Sequence, residues 1–260
     1  MENPEAHKQA VLISHLTKKY GKVTAVDNIS LQVPYGEFFG YLGTNGAGKT
    51  TTIKVLAGLL PATYERIEID GVSLKSEPLS VKARIGLMPE EPHLYERLNG
   101  YEFLEFVGGM YGLDGSPLRR RVLELMDLMD LAESGAKLII DYSKGMRKKI
   151  ALAAAIIHQP RVLFLDEPFA GIDTVTAHRL KDILRAWVRA GVTIFFSSHI
   201  MEVVEKLCTS FAIIHQGRVV YQDVMASVLA RQDGKSLEDI FIEVAGTTVR
   251  DEPTEAVFAD

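Results

Sequence analysis

Between Ala10 and Val33 apolar and polar positions come in short alternating runs, Val11-Leu12-Ile13-Ser14 and then Ile29-Ser30-Leu31-Gln32-Val33. This pattern predicts half-exposed strands of an antiparallel sheet, after a loose tail over residues 1–9. Gly36-Glu37-Phe38-Phe39-Gly40-Tyr41-Leu42 reads as a turn and then a strand. Thr51-Thr52-Ile53-Lys54-Val55-Leu56-Ala57 reads as a helix that starts near Lys49 and ends near Gly58. Ile67-Glu68-Ile69-Asp70-Gly71 closes a further strand and turn, and Ile85-Gly86-Leu87-Met88-Pro89 ends another. The pattern then changes. Residues 91–158 lack β-branched runs, and Val122, Leu125, Met126 and Met129 keep i, i+3, i+4, i+7 spacing with charges between them, which predicts an apolar helix face packed as core. After Pro160 continuous apolar runs return, Val162-Leu163-Phe164-Leu165 and Val192-Thr193-Ile194-Phe195-Phe196, separated by a helix from about Val175 to Arg189. Buried strands alternating with helices require a mainly parallel sheet covered on both faces. The expected fold is therefore α/β, with an N-terminal antiparallel β subdomain and an α-helical subdomain inserted at about 91–158. The main domain would span 10–243, with 244–260 as a C-terminal tail.

Candidate chemistry sits at the ends of these strands. Residues 43–51, Gly-Thr-Asn-Gly-Ala-Gly-Lys-Thr-Thr, fit G-x-x-x-x-G-K-[ST], the pattern of a phosphate-binding loop in a P-loop NTPase core. Gly43, Gly46 and Gly48 let the backbone turn its N–H groups onto phosphate oxygens, and the helix that follows adds its positive dipole end. Lys49 supplies an ammonium for the β- and γ-phosphates, and the Thr50 hydroxyl is a ligand for Mg²⁺. Asp166, at the end of an apolar strand, can hold Mg²⁺ or its water; Glu167, one residue on, can accept the proton of an attacking water. Ser197-Ser198-His199 follows another apolar strand, which aims His199 into the ligand crevice of such a sheet, toward a γ-phosphate.

Composition narrows the class. The 260-residue chain carries a formal net charge of −5, so sequence-independent nucleic-acid binding, which needs a basic face, is not expected. Its single cysteine, Cys208, excludes an internal disulfide, suits a reducing compartment and reads as a small buried apolar residue. The longest apolar run, Ile150 to Ile157, is eight residues, against about 20 for a membrane span. With no signal-peptide core among Glu2, Pro4, Glu5 and Lys8, a cytoplasmic location is expected.

Further segments complete a resemblance. Tyr142-Ser143-Lys144-Gly145-Met146 precedes a helical run, Gly171-Ile172-Asp173 follows the Asp-Glu pair, and Lys18-Lys19-Tyr20-Gly21 lies upstream of the glycine loop. With the phosphate loop, Asp166-Glu167 and His199 in this order, residues 11–243 resemble the ATP-binding subunit of an ABC transporter. The resemblance implies that Tyr20 stacks on adenine and that Gly43, Thr44, Asn45, Gly46, Ala47, Gly48, Lys49, Thr50 and Thr51 contact ATP. It implies that two cassettes, a second copy or a paralogue, meet head to tail around two nucleotides. Ser143, Gly145 and Asp173 would then act across the dimer, with Glu167 and His199 catalytic and Thr50, Glu90 and Asp166 at the metal. A separate integral membrane permease is the implied partner, which would place the cassette on the inner face of the membrane, with hydrolysis passed on through the helical insertion.

Three departures qualify it. Glu90 stands where the family has glutamine, Lys144 and Met146 replace Gly and Gln of the usual signature, and Tyr64-Glu65-Arg66 replaces a Ser-Gly-Glu turn, which therefore needs another backbone solution. Glu90, Tyr-Ser-Lys-Gly-Met and Ser236-Leu237-Glu238-Asp239-Ile240-Phe241 resemble the type 2 exporter-like branch. The competing class is a soluble ABC ATPase with a non-membrane partner, such as an iron–sulphur assembly complex. A small-molecule P-loop kinase lacks the signature and the Gly171-Ile172-Asp173 loop.

Overall fold

In the computed structural model, which describes residues 9–230 and 236–246, the early alternating runs form two long antiparallel strands, β1 (Gln9–Tyr20) and β2 (Val23–Pro34). Residues 1–8 and 247–260 of the two expected tails lie outside the described residues. Gln9, assigned above to the tail, is the first residue of β1. The strands curl because His15 and Asn28, both with φ of 53°, sit at bulges in the register. With β4 (Arg66–Ile69) and β5 (Val72–Ser73) they make a four-stranded sheet in the order β2-β1-β4-β5. The unusual Tyr64-Glu65-Arg66 segment is held by backbone hydrogen bonds to β1 rather than by a glycine turn. Thr63 exchanges backbone hydrogen bonds with Thr17, and Glu65 N donates to Ser14 O at 3.0 Å, so β1 holds the chain through a bend at Glu65 up to the start of β4.

The second sheet has six strands in the order β10-β9-β3-β8-β7-β6. Its parallel part joins β3 (Phe38–Leu42), β6 (Ile85–Met88), β7 (Val162–Asp166), β8 (Thr193–Ser198) and β9 (Ser210–His215), and β10 (Arg218–Val224) adds an antiparallel edge. Both faces are covered, and β7 displays this residue by residue. Val162 and Phe164 pack with the antiparallel sheet, while Leu163 and Leu165 pack with the helices on the other side. On the first face Phe195 meets Phe39, Tyr41 and Phe164, with ring centroids 5.1, 5.2 and 5.6 Å away. Burying each such ring contributes about 1.5–3 kcal/mol, which anchors β3, β7 and β8 where the chemistry sits.

Helices α1 (Lys49–Leu56), α3 (Gly100–Met110), α4 (Gly115–Leu128), α5 (Lys144–Ile156) and α6 (Thr174–Arg189) fall where the pattern predicts helix, whereas α2 (Pro78–Arg84), α7 (Met201–Leu207), α8 (Met225–Leu229) and α9 (Leu237–Gly246) lie in segments for which no helix is expected. Between β6 and β7 every long element is helical, and Val122, Leu125, Met126 and Met129 are all buried. Asn99 and Glu102 close a reciprocal capping box at the start of α3. The β9–β10 hairpin was not anticipated, although its turn is legible. Gln216 and Gly217, with φ of 47° and 79°, form the two-residue loop whose paired positive φ values match strand twist. Helix α9 continues past the expected boundary at 243.

Candidate functional site

β3, β8 and β7 are adjacent and parallel, and they end in register, Leu42 beside Ser198 and Ser197 beside Asp166. The segments that leave those ends therefore meet at one edge of the sheet, the place where open α/β sheets bind ligands. From β3 the chain enters the glycine loop and then α1. Two of its glycines are required by space. A Cβ on Gly48, whose φ is 109°, would stand 2.5 Å from Ala25 O, and one on Gly43 would stand 2.5 Å from Ile214 O. Lys49 is buried. Its ammonium donates to Gly43 O at 2.7 Å and Thr44 O at 3.1 Å and lies 3.3 Å from Glu167 Oε1. Asn45, Gly46, Gly48, Lys49, Thr50 and Thr51 line a recess of about 340 Å³ together with Ala25, Glu90 and Glu167.

At the end of β7, Asp166 and Glu167 are both buried. Ser197 Oγ donates to Asp166 Oδ1 at 2.6 Å and accepts from Glu167 N at 3.0 Å, so one hydroxyl fixes both acidic residues. Glu167 has a φ of 46°, a left-handed backbone that a non-glycine residue keeps only when its surroundings hold it. Its side chain is placed between two cations or donors: Lys49 on one oxygen, and His199 Nδ1 3.0 Å from the other. The Lys49 contact is outside hydrogen-bonding geometry, which leaves Oε1 a buried acceptor with no donor among the described residues. A buried carboxylate that lines this recess and whose Oε1 accepts no hydrogen bond among the described residues is suited to taking a proton from water.

Thr50, Glu90 and Asp166 line one further recess, of about 360 Å³, with Leu87 and Pro89 among its other walls. One hydroxyl and two carboxylates around a shared space suit Mg²⁺, which keeps several waters and takes few protein ligands beside phosphate oxygens. The carbonyl of Glu90 accepts from Lys148 Nζ at 2.7 Å, while the residue itself is exposed.

The residues expected to act across a dimer are exposed or half-buried, and none of them lines the glycine-loop recess. Ser143 caps α5 by accepting from Met146 N at 3.2 Å, and Asp173 caps α6 by accepting from Thr176 N at 2.9 Å. That bond holds the Asp173 carboxyl below the usual carboxylate range. The two caps are neighbours, since a Cβ on Gly145 would meet Thr176 Oγ1 at 3.2 Å and Asp173 Oδ2 at 3.6 Å. Tyr20, at the end of β1, is exposed, and Lys18 Nζ lies 4.9 Å from its ring centroid in a cation–π contact.

Three contributors escaped sequence reasoning. Ser197 was named only as part of the segment leading to His199, yet it lies inside β8 and links both acidic residues. Ala25 forms a wall of the recess through its backbone fit to Gly48, for which the sequence carries no signal. Lys148 carries no motif and sits among the basic residues Lys144, Arg147 and Lys149 of α5. Its helical position between the buried Ile150 and the capped start of α5 was the available hint.

A family model described as ABC transporter matches residues 26–170. The ABC transporter ATP-binding protein NatA of Bacillus subtilis (strain 168) is 37% identical over 221 residues, covering 85% of this chain and 90% of that protein. The daunorubicin resistance ATP-binding protein DrrA3 of Streptomyces coeruleorubidus is 35% identical over 237 residues, covering 91% and 75%. A solved structure of an ATP-binding subunit of an ABC transporter superimposes with a TM-score of 0.82 at 30% identity, covering 90% of this chain and 99% of that one.

Proposed function

The chain belongs to the ABC transporter family, and on that premise we propose that its recess binds Mg·ATP, that two such chains close around two nucleotides, and that hydrolysis drives a separate membrane permease. The protein is an ATP-binding subunit of the exporter-like branch, and its activity is ATP hydrolysis. The observation that carries the reading is Glu167, a buried carboxylate held between Lys49 and His199 at the phosphate loop, with Oε1 accepting no hydrogen bond among the described residues.

In this reading Gly43 to Thr51 cradle the phosphates, Lys49 leaves its loop carbonyls for the β- and γ-phosphates, and Tyr20 stacks on adenine. Glu167 takes the proton of the attacking water while His199 holds the water and the γ-phosphate in line. Thr50, Asp166 and Glu90 would hold Mg²⁺, which offsets phosphate charge when bound. Ser143 and the Gly145 backbone, at the start of α5, would meet the γ-phosphate held by the partner, with Asp173 beside them.

Residues 10–243 would form the ATP-binding unit, with the helical insertion at about 91–158 facing the permease. Among the described residues no helix is long and apolar enough to cross a membrane. In this reading the permease would be a separate chain, with this one on its inner side. Export fits the resistance role that the daunorubicin relative is named for, and no observation favours an iron–sulphur partner.

Calorimetric titration with Mg·ATP tests the cradle. Lys49→Ala removes the main countercharge to the phosphates and is expected to abolish tight binding. Parental affinity in that variant overturns the assignment.

A further inference from the structure

Lys148 lies within α5 with only 2% of its surface exposed, and among the described residues no carboxylate lies within ion-pair distance of it. Its ammonium is spent on backbone instead: Nζ donates to Glu90 O at 2.7 Å and to Glu167 O at 3.1 Å. Burial pulls its affinity for the proton below that of an ordinary lysine, with Glu90, Asp166 and Glu167 acting against that shift and Lys144 with it. An apolar side chain of similar volume would fill the same slot without desolvating a charge, so packing alone does not account for a lysine here.

The two carbonyls lie just beyond neighbouring strand ends, since β6 and β7 run parallel with Met88 opposite Leu165. Glu90 immediately precedes the helical insertion, and Glu167 carries the candidate base in a left-handed backbone. That backbone is held from three sides: Ser197 Oγ takes its N–H, while Ala170 N and Lys148 Nζ both donate to its carbonyl. Of the three, only Lys148 comes from α5, the helix whose first turn is capped by Ser143.

We propose that Lys148 is a positioning residue for hydrolysis, fixing the Glu167 peptide and the Glu90 segment to α5. The base is then aligned only while the helix that presents Ser143 to the partner's nucleotide is seated. Closure of the dimer on Ser143 and readiness of Glu167 in the same chain thereby become one event. The inference rests on the reading of Glu167 as the base and of α5 as the trans-acting helix.

The test uses the full chain and two variants. Lys148→Met keeps an apolar stem and removes the donors; Lys148→Gln keeps a donating amide one atom shorter. Equilibrium binding of Mg·ATP and single-turnover hydrolysis at saturating Mg·ATP are measured for both. Losing hydrogen bonds from a charged donor corresponds to about 10- to 100-fold. Lys148→Met is therefore expected to slow hydrolysis by that factor while nucleotide affinity stays within about twofold, and Lys148→Gln is expected to recover part of the rate. Hydrolysis by Lys148→Met at the parental rate overturns the proposal, as does a parallel loss of affinity and rate, which marks a purely structural role. Should Lys148→Met not fold, Lys148→Gln decides alone: a slower rate at unchanged affinity supports the proposal, and an unchanged rate or a joint loss overturns it. Parental hydrolysis by Glu167→Gln, by contrast, removes the base assignment itself, whatever Lys148 does.

Discussion

Ser197→Ala is the substitution whose cost the structure states most fully. The hydroxyl is wholly buried, donates to Asp166 Oδ1 at 2.6 Å and accepts from Glu167 N at 3.0 Å. Alanine leaves the Glu167 N–H in the interior without an acceptor, which costs about 1–3 kcal/mol, and removes a bond to a carboxylate that is itself worth about 1.5–3 kcal/mol. The two losses share one atom and do not add fully, so about 3 kcal/mol is expected. For a chain of this size that corresponds to a melting temperature lower by roughly 6–12 °C. Ser198→Ala is the control one residue away. Its Oγ accepts from Ile200 N at 3.0 Å, but Ile200 is 38% exposed, so water can replace the bond and about 1 kcal/mol or less is lost. Thermal and urea unfolding followed by circular dichroism, without nucleotide so that ligand linkage does not contribute, gives both values. A Ser197→Ala protein melting within about 2 °C of the parent, or no lower than Ser198→Ala, refutes the idea that this hydroxyl holds the acidic pair.

Glu90 lines both recesses from an exposed position, so Glu90→Gln is expected to keep much of the ATPase activity, whereas Glu90→Ala raises the Mg²⁺ requirement with little change in stability. Superimposable Mg²⁺ titrations of the three proteins would reduce Glu90 to a surface charge. Cys208 is buried, and burial, reinforced by the Glu37 charge, pushes its thiol well above the ordinary range. Thiolate is then scarce at pH 8, and iodoacetamide should label the folded chain far more slowly than the chain in guanidinium; equal rates would contradict the burial.

The sequence made the strands and helices around the phosphate loop readable because both faces of the parallel sheet are buried. Val162 to Leu165 has no polar position to confuse the pattern, and Lys49 to Leu56 starts from a glycine loop whose chemistry is local. Strand β8 was read as ending at Phe196, yet it continues through Ser197 and Ser198. Serine lowers the apolar signal, while here its hydroxyl is used inward, against Asp166. That contact joins positions 31 residues apart in sequence, and the Lys148 to Glu90 contact joins positions 58 apart. No periodicity records such pairings, because they depend on the order of strands in the sheet. The β9–β10 hairpin was passed over for a different reason. Its turn residues Gln216 and Gly217 are a weaker turn signal than Asn-Gly or Asp-Gly, and β10 alternates exposed and half-buried positions without an apolar run. Lys148 looked like any basic residue on a helix surface, since helical spacing alone does not distinguish a buried ammonium satisfied by carbonyls from a solvated one.

Size exclusion with light scattering, run on Glu167→Gln with Mg·ATP, tests the central claim most directly. Glutamine fills the space of Glu167 but cannot take the proton of water, so ATP should bind, persist and hold two chains together. The 28.8 kDa chain is expected to elute at twice its mass with Mg·ATP, and its turnover nearly to stop. A variant that stays at the monomer mass and hydrolyses ATP at the parental rate would contradict it.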